Sequence, residues 1–332
     1  MKTLIPITVL TGFLGSGKTT LLNRLLSSEA PADIAVLINE FGKVALDHLL
    51  VDTLEEEIIL LESGCVCCAV RDNFNATLLM LYNKREKQLI PPFQHVILET
   101  TGIADPVSIH ELILTDKEVR RRYFCKQIIT VVDAVYGESN LDRHIEAVKQ
   151  VSVADKIIIS KTDLCGGTQV QNTEMRIHKL NPLAPRSHSS PDNKSVPDEL
   201  LNGENHAHVP SAEPGRRNKH TGYSSSHGHD RRFSTFSLCW PETVEWEDFI
   251  AWLEALLVAR GKSIHRLKGL LNVNGERRPI VIQGVQHSFY PPTKLEKWPG
   301  AQAKTELVFI TSDFTKQAAI NSLCNILDVS VE

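Results

Sequence analysis

The sequence predicts an α/β fold in which a mostly parallel sheet with helices on both faces is followed by a small α+β domain. Three observations carry this. Over the first 163 residues short β-branched runs alternate with longer amphipathic stretches, the pattern of a parallel sheet covered by helices. A glycine-rich segment, residues 12–19, stands at the first strand-to-helix junction. After residue 186 the composition turns rich in Ser, Pro, Asn, Gly and His, and apolar order returns only at Phe233. The expected organisation is a first domain over 1–186, a linker over 187–232 and a second domain over 233–332.

Taken in order, the strands of the first domain are ITVLT, IAVLIN, EIILL, HVILET, QIITVVD and KIIIS, with helices expected over 18–26, over 73–81 and in the polar stretch before KIIIS. Such sheets place ligands at the carboxyl ends of their strands. The linker shows no apolar period. In the second domain FSTFSLCW reads as a strand, Phe249, Leu253, Leu256 and Leu257 recur at helical spacing, LKGLLNV and RPIVIQGVQHSF read as strands, and ELVFIT opens a last strand and helix.

Composition excludes several function classes. The formal charge of −4 over 332 residues supplies no basic field for nucleic acid or an acidic membrane. No apolar run reaches the roughly 18 residues of a membrane span, since IAWLEALLVA is interrupted by Glu254. One lysine precedes TLIPITVLTG, which leads into a strand and ends in no cleavage pattern, so a reducing cytoplasmic setting is expected. The cysteine count is seven, an odd number without the even spacing of a secreted disulfide framework.

GFLGSGKT at 12–19 fits Gly, four residues, Gly, Lys, Thr, with the strand and helix that the mechanism requires on either side. Its members Gly12, Phe13, Leu14, Gly15, Ser16, Gly17, Lys18 and Thr19, with Thr20 behind them, are candidate nucleotide-binding residues. Backbone amides would wrap the β-phosphate at the positive end of the helix, Lys18 would reach the β- and γ-phosphates as a catalytic cation, and the Thr19 hydroxyl would ligate magnesium. In IISKTD a strand ends in Ser160, Lys161, Thr162 and Asp163. An Asp carboxylate accepts hydrogen bonds from N1 and N2 of guanine, which adenine does not offer, so GTP and GDP are the expected nucleotides. The usual guanine signature begins with Asn, and Ser160 stands in its place. ILETTGIADP puts Glu99 and Gly102 where a magnesium-linked or water-orienting group sits, and Glu99 is the candidate for positioning the attacking water. Glu40 and Asp47, after the second strand, are candidates for holding magnesium through water.

Cys65, Cys67 and Cys68 fall within four residues. They read as three buried small hydrophobes, as a Cys-x-x-Cys redox pair, or as a metal site. Thiolates favour zinc and similar ions, and three in one turn leave a fourth position for water, for Glu62 or for a partner's side chain. A permanent structural zinc normally has four protein ligands, so an incomplete set suits an ion that must leave.

TGFLGSGKTTLLN, INEFG, ESGCVCCAVRDN, ILETTGIADP and SKTD, in that order and spacing, resemble the CobW-like metallochaperone GTPases, and LKGLLNV with GVQHSFYPP is similar to their C-terminal domain. The resemblance implies a P-loop GTPase fold and hydrolysis tied to delivery of zinc, or in some branches cobalt, to a client metalloenzyme. By position it implies that Cys65, Cys67 and Cys68 form the metal site, 12–19 the phosphate loop and 160–163 the base segment. Lys43, where related sequences often have Glu, carries no ligand role. Client binding or homodimerisation would accelerate a slow intrinsic turnover. Two rival readings are a phosphate-loop kinase acting on a small metabolite and a non-hydrolysing metal-storage or insertion scaffold.

Seven of the thirteen histidines, His178, His188, His206, His208, His220, His227 and His229, lie in or near the linker. They would suit a weak metal-collecting arm, although a solvated linker needs no such function. His287 reads as a hydrogen-bonded structural histidine.

Overall fold

The computed structural model describes residues 4–27, 33–38, 53–54, 58–60, 66–69, 74–189, 200–201, 233–299, 302–327 and 329–331. Two compact units separate by their contacts: Met1–Arg176 with Ala184–Asn205, and Ile177–Leu183 with His206–Glu332.

The first unit is built on strands β1 (Ile5–Thr11), β2 (Ile34–Ile38), β3 (Thr53–Leu54), β4 (Ile58–Leu60), β5 (Val66–Ala69), β6 (His95–Glu99), β7 (Tyr123–Asp133), β8 (Lys156–Ser160) and β9 (Arg186–Ser189). They form one sheet in the order β3-β4-β5-β2-β6-β1-β7-β8-β9. Pairing is parallel from β5 to β9. It is antiparallel only where β3 and β4 extend the sheet beyond β5. The helices are α1 (Lys18–Ser27), α2 (Phe74–Glu86), α3 (Pro106–Thr115), α4 (Lys117–Arg120), α5 (Gly137–Arg143), α6 (Ile145–Val153) and α7 (Gly167–Leu180). The fold class read from the sequence is borne out.

Local chemistry explains the elements that frame the site. Nearly every residue of β1 is buried, as expected of a central parallel strand covered on both faces. Leu21, Leu22, Leu25 and Leu26 of α1 pack on Leu10, Val36, Ile97, Ile129 and Ile158. α3 starts where ADP reads as a helix start: the Asp105 side chain accepts from Val107 N and Pro106 takes the first turn.

Two findings shift the sequence reading. β9 runs to Ser189, in register with β8, so the linker expected from 187 begins inside the sheet. Leu200 is fully buried in the α1 core. Its carbonyl accepts from Thr8 Oγ1 at 3.1 Å and Gln127 Nε2 at 3.3 Å, and the Leu201 carbonyl accepts from Lys126 Nζ at 2.6 Å. Since the one hydroxyl hydrogen of Thr8 goes to Leu200, His95 Nε2, 2.9 Å from Thr8 Oγ1, must donate. Burial, aided by the Lys126 charge, lowers the His95 pKa to about 4, so this imidazole is neutral.

The second unit carries an antiparallel sheet in the order β10-β15-β11-β12-β13, with β14 on β12. Its strands are β10 (Phe233–Trp240), β11 (Ile264–Leu271), β12 (Ile280–Val285), β13 (Ser288–Phe289), β14 (Thr293–Lys294) and β15 (Thr305–Ser312). Helix α8 (Trp246–Arg260) buries Phe249, Trp252, Leu253, Leu256 and Leu257. It shares one core with Leu238, Trp240, Leu267 and Phe309, and with Leu323 of α9 (Lys316–Cys324). His287 Nδ1 lies 3.1 Å from the Leu257 carbonyl near the α8 C-terminus, the structural role expected of it.

Candidate functional site

The phosphate loop leaves β1 at Gly12, whose φ of +146° belongs to glycine. A Cβ there would also stand 2.3 Å from the Val131 carbonyl oxygen, so backbone approach as well as dihedral demands glycine. Gly15 and Gly17 follow with φ of +70° and +94°. Lys18 is buried and its Nζ donates back to the carbonyls of Gly12 at 2.9 Å and Phe13 at 3.3 Å. α1 has no acidic residue in its first turn, which leaves the positive end of the helix for an anion. The Phe13 ring stacks on His144 with centroids 4.5 Å apart.

Thr19 and Glu99 meet at the carboxyl ends of β1 and β6. Thr19 Oγ1 donates to Glu99 Oε1 at 2.6 Å, and Glu99 is only 4% exposed. A hydroxyl and a carboxylate side by side are the hard oxygen donors that magnesium takes. Thr19 and Glu99 therefore fit a magnesium site. Three residues beyond Glu99, Gly102 presses on the phosphate loop: a Cβ on it would stand 2.6 to 2.7 Å from atoms of Leu14.

The base segment lies where β8 ends. Ser160 Oγ donates to the Ser16 carbonyl at 2.6 Å, so the serine ties this strand to the phosphate loop. Lys161, at φ +57°, sends Nζ to Asp133 Oδ2 at 2.5 Å. Asp133 is held in turn by the backbone N–H groups of Val135 and Tyr136. A cleft of about 320 Å³ opens here, lined by Gly17, Thr20, Arg24, Lys161, Asp163 and Ser189 among others, ample for a purine. Thr162 lies in the turn between Lys161 and Asp163.

The structure thus brings together residues 12–20, Glu99 and 160–163. It adds four that sequence reading missed. Asp133 orients Lys161, Arg24 and Ser189 join across the cleft at 3.0 Å, and Gln150 holds the carbonyls of Gly102 and Ala104. Only Asp133, the polar end of an apolar strand, carried a signal that could have found it.

Cys65, Glu62, Glu40, Lys43, Asp47, His206, His208, His220, His227 and His229 lie outside the described residues. Of Cys67 and Cys68 the backbone is described. In place of the turn expected there, they sit in β5, Cys67 opposite Val36 and Ile59, Cys68 opposite Leu37 and Ile58. His188 pairs with Glu174 at 2.6 Å, and His178 lies on α7. Among the described residues no group of three or more His, Cys, Asp or Glu could hold a metal ion. Among them, too, no helix is long and apolar enough to cross a membrane.

A central strand, a glycine loop closing on a helix, a threonine–carboxylate pair and an aspartate-lined cleft define a phosphate-loop nucleotide-binding protein. The chain belongs to the CobW/HypB/UreG family, whose nucleotide-binding domain matches residues 6–187. The cobalamin synthesis protein CobW C-terminal domain matches residues 233–327. The chain is 30% identical to the zinc chaperone YjiA of Escherichia coli over 92% of this chain and 93% of that one. It is 30% identical to the zinc chaperone CobW of Pseudomonas aeruginosa, over 97% and 92%. The crystal structure of Zn(II)-bound YjiA GTPase from E. coli superposes with a TM-score of 0.72 at 25% identity, covering 98% of this chain and 100% of that one.

Proposed function

We propose that this chain is a GTP-hydrolysing metallochaperone that carries zinc to a client metalloenzyme in the cytoplasm. The observation that supports it best is the joining of phosphate loop, Glu99 and Asp163 cleft in one nucleotide site. The relatives named as zinc chaperones and as a zinc-regulated GTPase metalloprotein activator point the same way.

In this reading the loop amides and the α1 N-terminus bind the phosphates, and Lys18 exchanges its carbonyl partners for phosphate oxygens. Asp163 reads guanine while Lys161, braced by Asp133, lies along the base. Thr19 and Glu99 would hold magnesium, which supplies charge neutralisation at the β- and γ-phosphates when bound. Glu99 also stands near enough to Thr19 to orient the attacking water beside that ion. Cys65, Cys67 and Cys68 bind zinc as cargo, with cobalt the alternative ion.

The test is phosphate release from GTP and from ATP by the purified chain, with and without zinc. Expected is hydrolysis of GTP alone. ATP turnover at equal efficiency, or label transferred to a metabolite, would overturn the reading in favour of a kinase.

A further inference from the structure

A small cavity lies between the phosphate loop, the end of β7 and helices α5 and α6, lined by Phe13, Ser16, Thr130, Asp133, Asn140 and Gln150 among others. Two of these carry a buried polar atom with no hydrogen-bond partner among the described residues, Ser16 Oγ and Gln150 Oε1. Ser16 is 3% exposed and Gln150 1%. A buried amide oxygen or hydroxyl left unpaired costs about 1–3 kcal/mol, so a native structure pairs it, commonly through water.

The orientation of Gln150 follows from its neighbours. Its amide faces the carbonyls of Gly102 and Ala104, each 3.1 Å away. Carbonyls only accept, so the NH2 group must point at them and Oε1 must point away. The volume left, about 10 Å³, is that of one water. A water in that volume would find an acceptor in Gln150 Oε1 and a partner in the Ser16 hydroxyl. Thr130 Oγ1, which gives its hydrogen to the Gln150 carbonyl at 2.7 Å, keeps lone pairs for a third bond.

We propose that Gln150 is a positioning residue for GTP hydrolysis, joining the segment at residues 102–104 to the phosphate loop through one buried water shared with Ser16. This rests on the GTPase reading above. The segment follows Glu99 by three residues, and Gly102 also packs on Leu14. Gln150 on its carbonyls and Leu14 against Gly102 together clamp it. Its placement relative to the loop decides where Glu99 and the attacking water stand against the γ-phosphate. Since phosphoryl transfer is mostly a matter of positioning, loosening this clamp slows the chemical step and leaves nucleotide binding, made by the loop and cleft, nearly intact.

The experiment compares GTP turnover by the full chain with Gln150→Leu and Gln150→Glu, while following the unfolding of each. Gln150→Leu is expected to lower kcat about 10- to 100-fold with KM changed by less than about threefold. In Gln150→Glu a carboxylate would face two carbonyls; burial and those dipoles raise its pKa, and once protonated it can donate to one of them. Its kcat relative to wild type should therefore rise as pH is lowered from about 8 to about 6. This second readout stands even where Gln150→Leu fails to fold. A flat ratio, or an unchanged kcat in a folded Gln150→Leu, overturns the clamp. A wild type that hydrolyses no GTP overturns the functional reading and the clamp with it. A crystal structure that shows ordered waters should place one within hydrogen-bond distance of both Ser16 Oγ and Gln150 Oε1, and a direct bond between those two atoms overturns the shared water.

Discussion

Ser160 Oγ donates to the carbonyl oxygen of Ser16 at 2.6 Å. The residue that replaces asparagine at the head of the base segment thus makes a bond to the phosphate loop. Ser160→Ala deletes that donor and leaves a carbonyl of the loop one bond short. Affinity for GTP and for GDP should fall together by roughly 1 kcal/mol, about fivefold, in calorimetric titration. Unchanged affinity would show that the loop holds its shape without β8.

Asp163 lines the cleft that the base would fill. Asp163→Asn should weaken GTP and improve xanthosine triphosphate, whose ring carbonyl meets the new amide. Competition of the two nucleotides against a fluorescent analogue measures the switch, and an unaltered preference removes Asp163 from base recognition.

One zinc per chain is expected, with most of the affinity lost in Cys67→Ser because a serine hydroxyl is a poor ligand at neutral pH. Retained stoichiometric zinc in the triple serine variant at positions 65, 67 and 68 would move the site to the linker histidines.

If hydrolysis gates the metal, zinc affinity must differ between the GTP and GDP states, and zinc must change GTP affinity by the same factor. A coupling of roughly 1 to 3 kcal/mol makes that about five- to 150-fold. Chelator competition in the presence of a non-hydrolysable GTP analogue, and then of GDP, reads it directly. Equal affinities in the two states would separate hydrolysis from metal release.

His95 supplies a pH prediction. Its pKa falls from 6.5 to about 4 in the folded chain, so between those values the unfolded chain binds the proton and the folded one does not. Stability therefore drops as pH falls through this window, on the order of 3 kcal/mol in all at the low end. His95→Gln can still donate to Thr8 and has no charge to gain, so its denaturation midpoint should vary less with pH than wild type over the same window. Parallel profiles would assign the acid sensitivity to other groups.

That residues 12–20, Glu99 and 160–163 would gather in one place was legible because each group stands in local spacing beside a strand. Gly12 follows directly on β1, Lys18 opens α1 six residues later and Asp163 stands three residues beyond β8, and β-branched runs announce both strands. What escaped the sequence depends on partners far along the chain. Gln150 acts on backbone carbonyls nearly fifty positions earlier, and no motif marks a residue whose partners are main-chain atoms. Ser160 looked like a departure because the replaced residue type was visible while its bond to Ser16 was not. Leu200 was hidden for another reason: two leucines in a polar stretch are too few to show a period, yet Thr8, Lys126 and Gln127 hold them on the first unit. Glycine and polar residues on either side of the cysteines suggest a turn, whereas pairing to β2 and β4 places Cys67 and Cys68 in a strand, Val66–Ala69.

Strand order has a consequence for how the molecule opens. β1, which feeds the phosphate loop, is central, hydrogen-bonded along its length to β6 and β7. Its amides can exchange with solvent only when the whole sheet gives way. β5 lies nearer the other extreme, with only the two short strands β3 and β4 beyond it among the described residues. Peeling that border breaks few bonds, and such a fluctuation costs far less than global unfolding. The strand bearing Cys67 and Cys68 should therefore be uncovered more readily than the centre of the sheet, and hydrogen exchange should find its amides faster than those of β1.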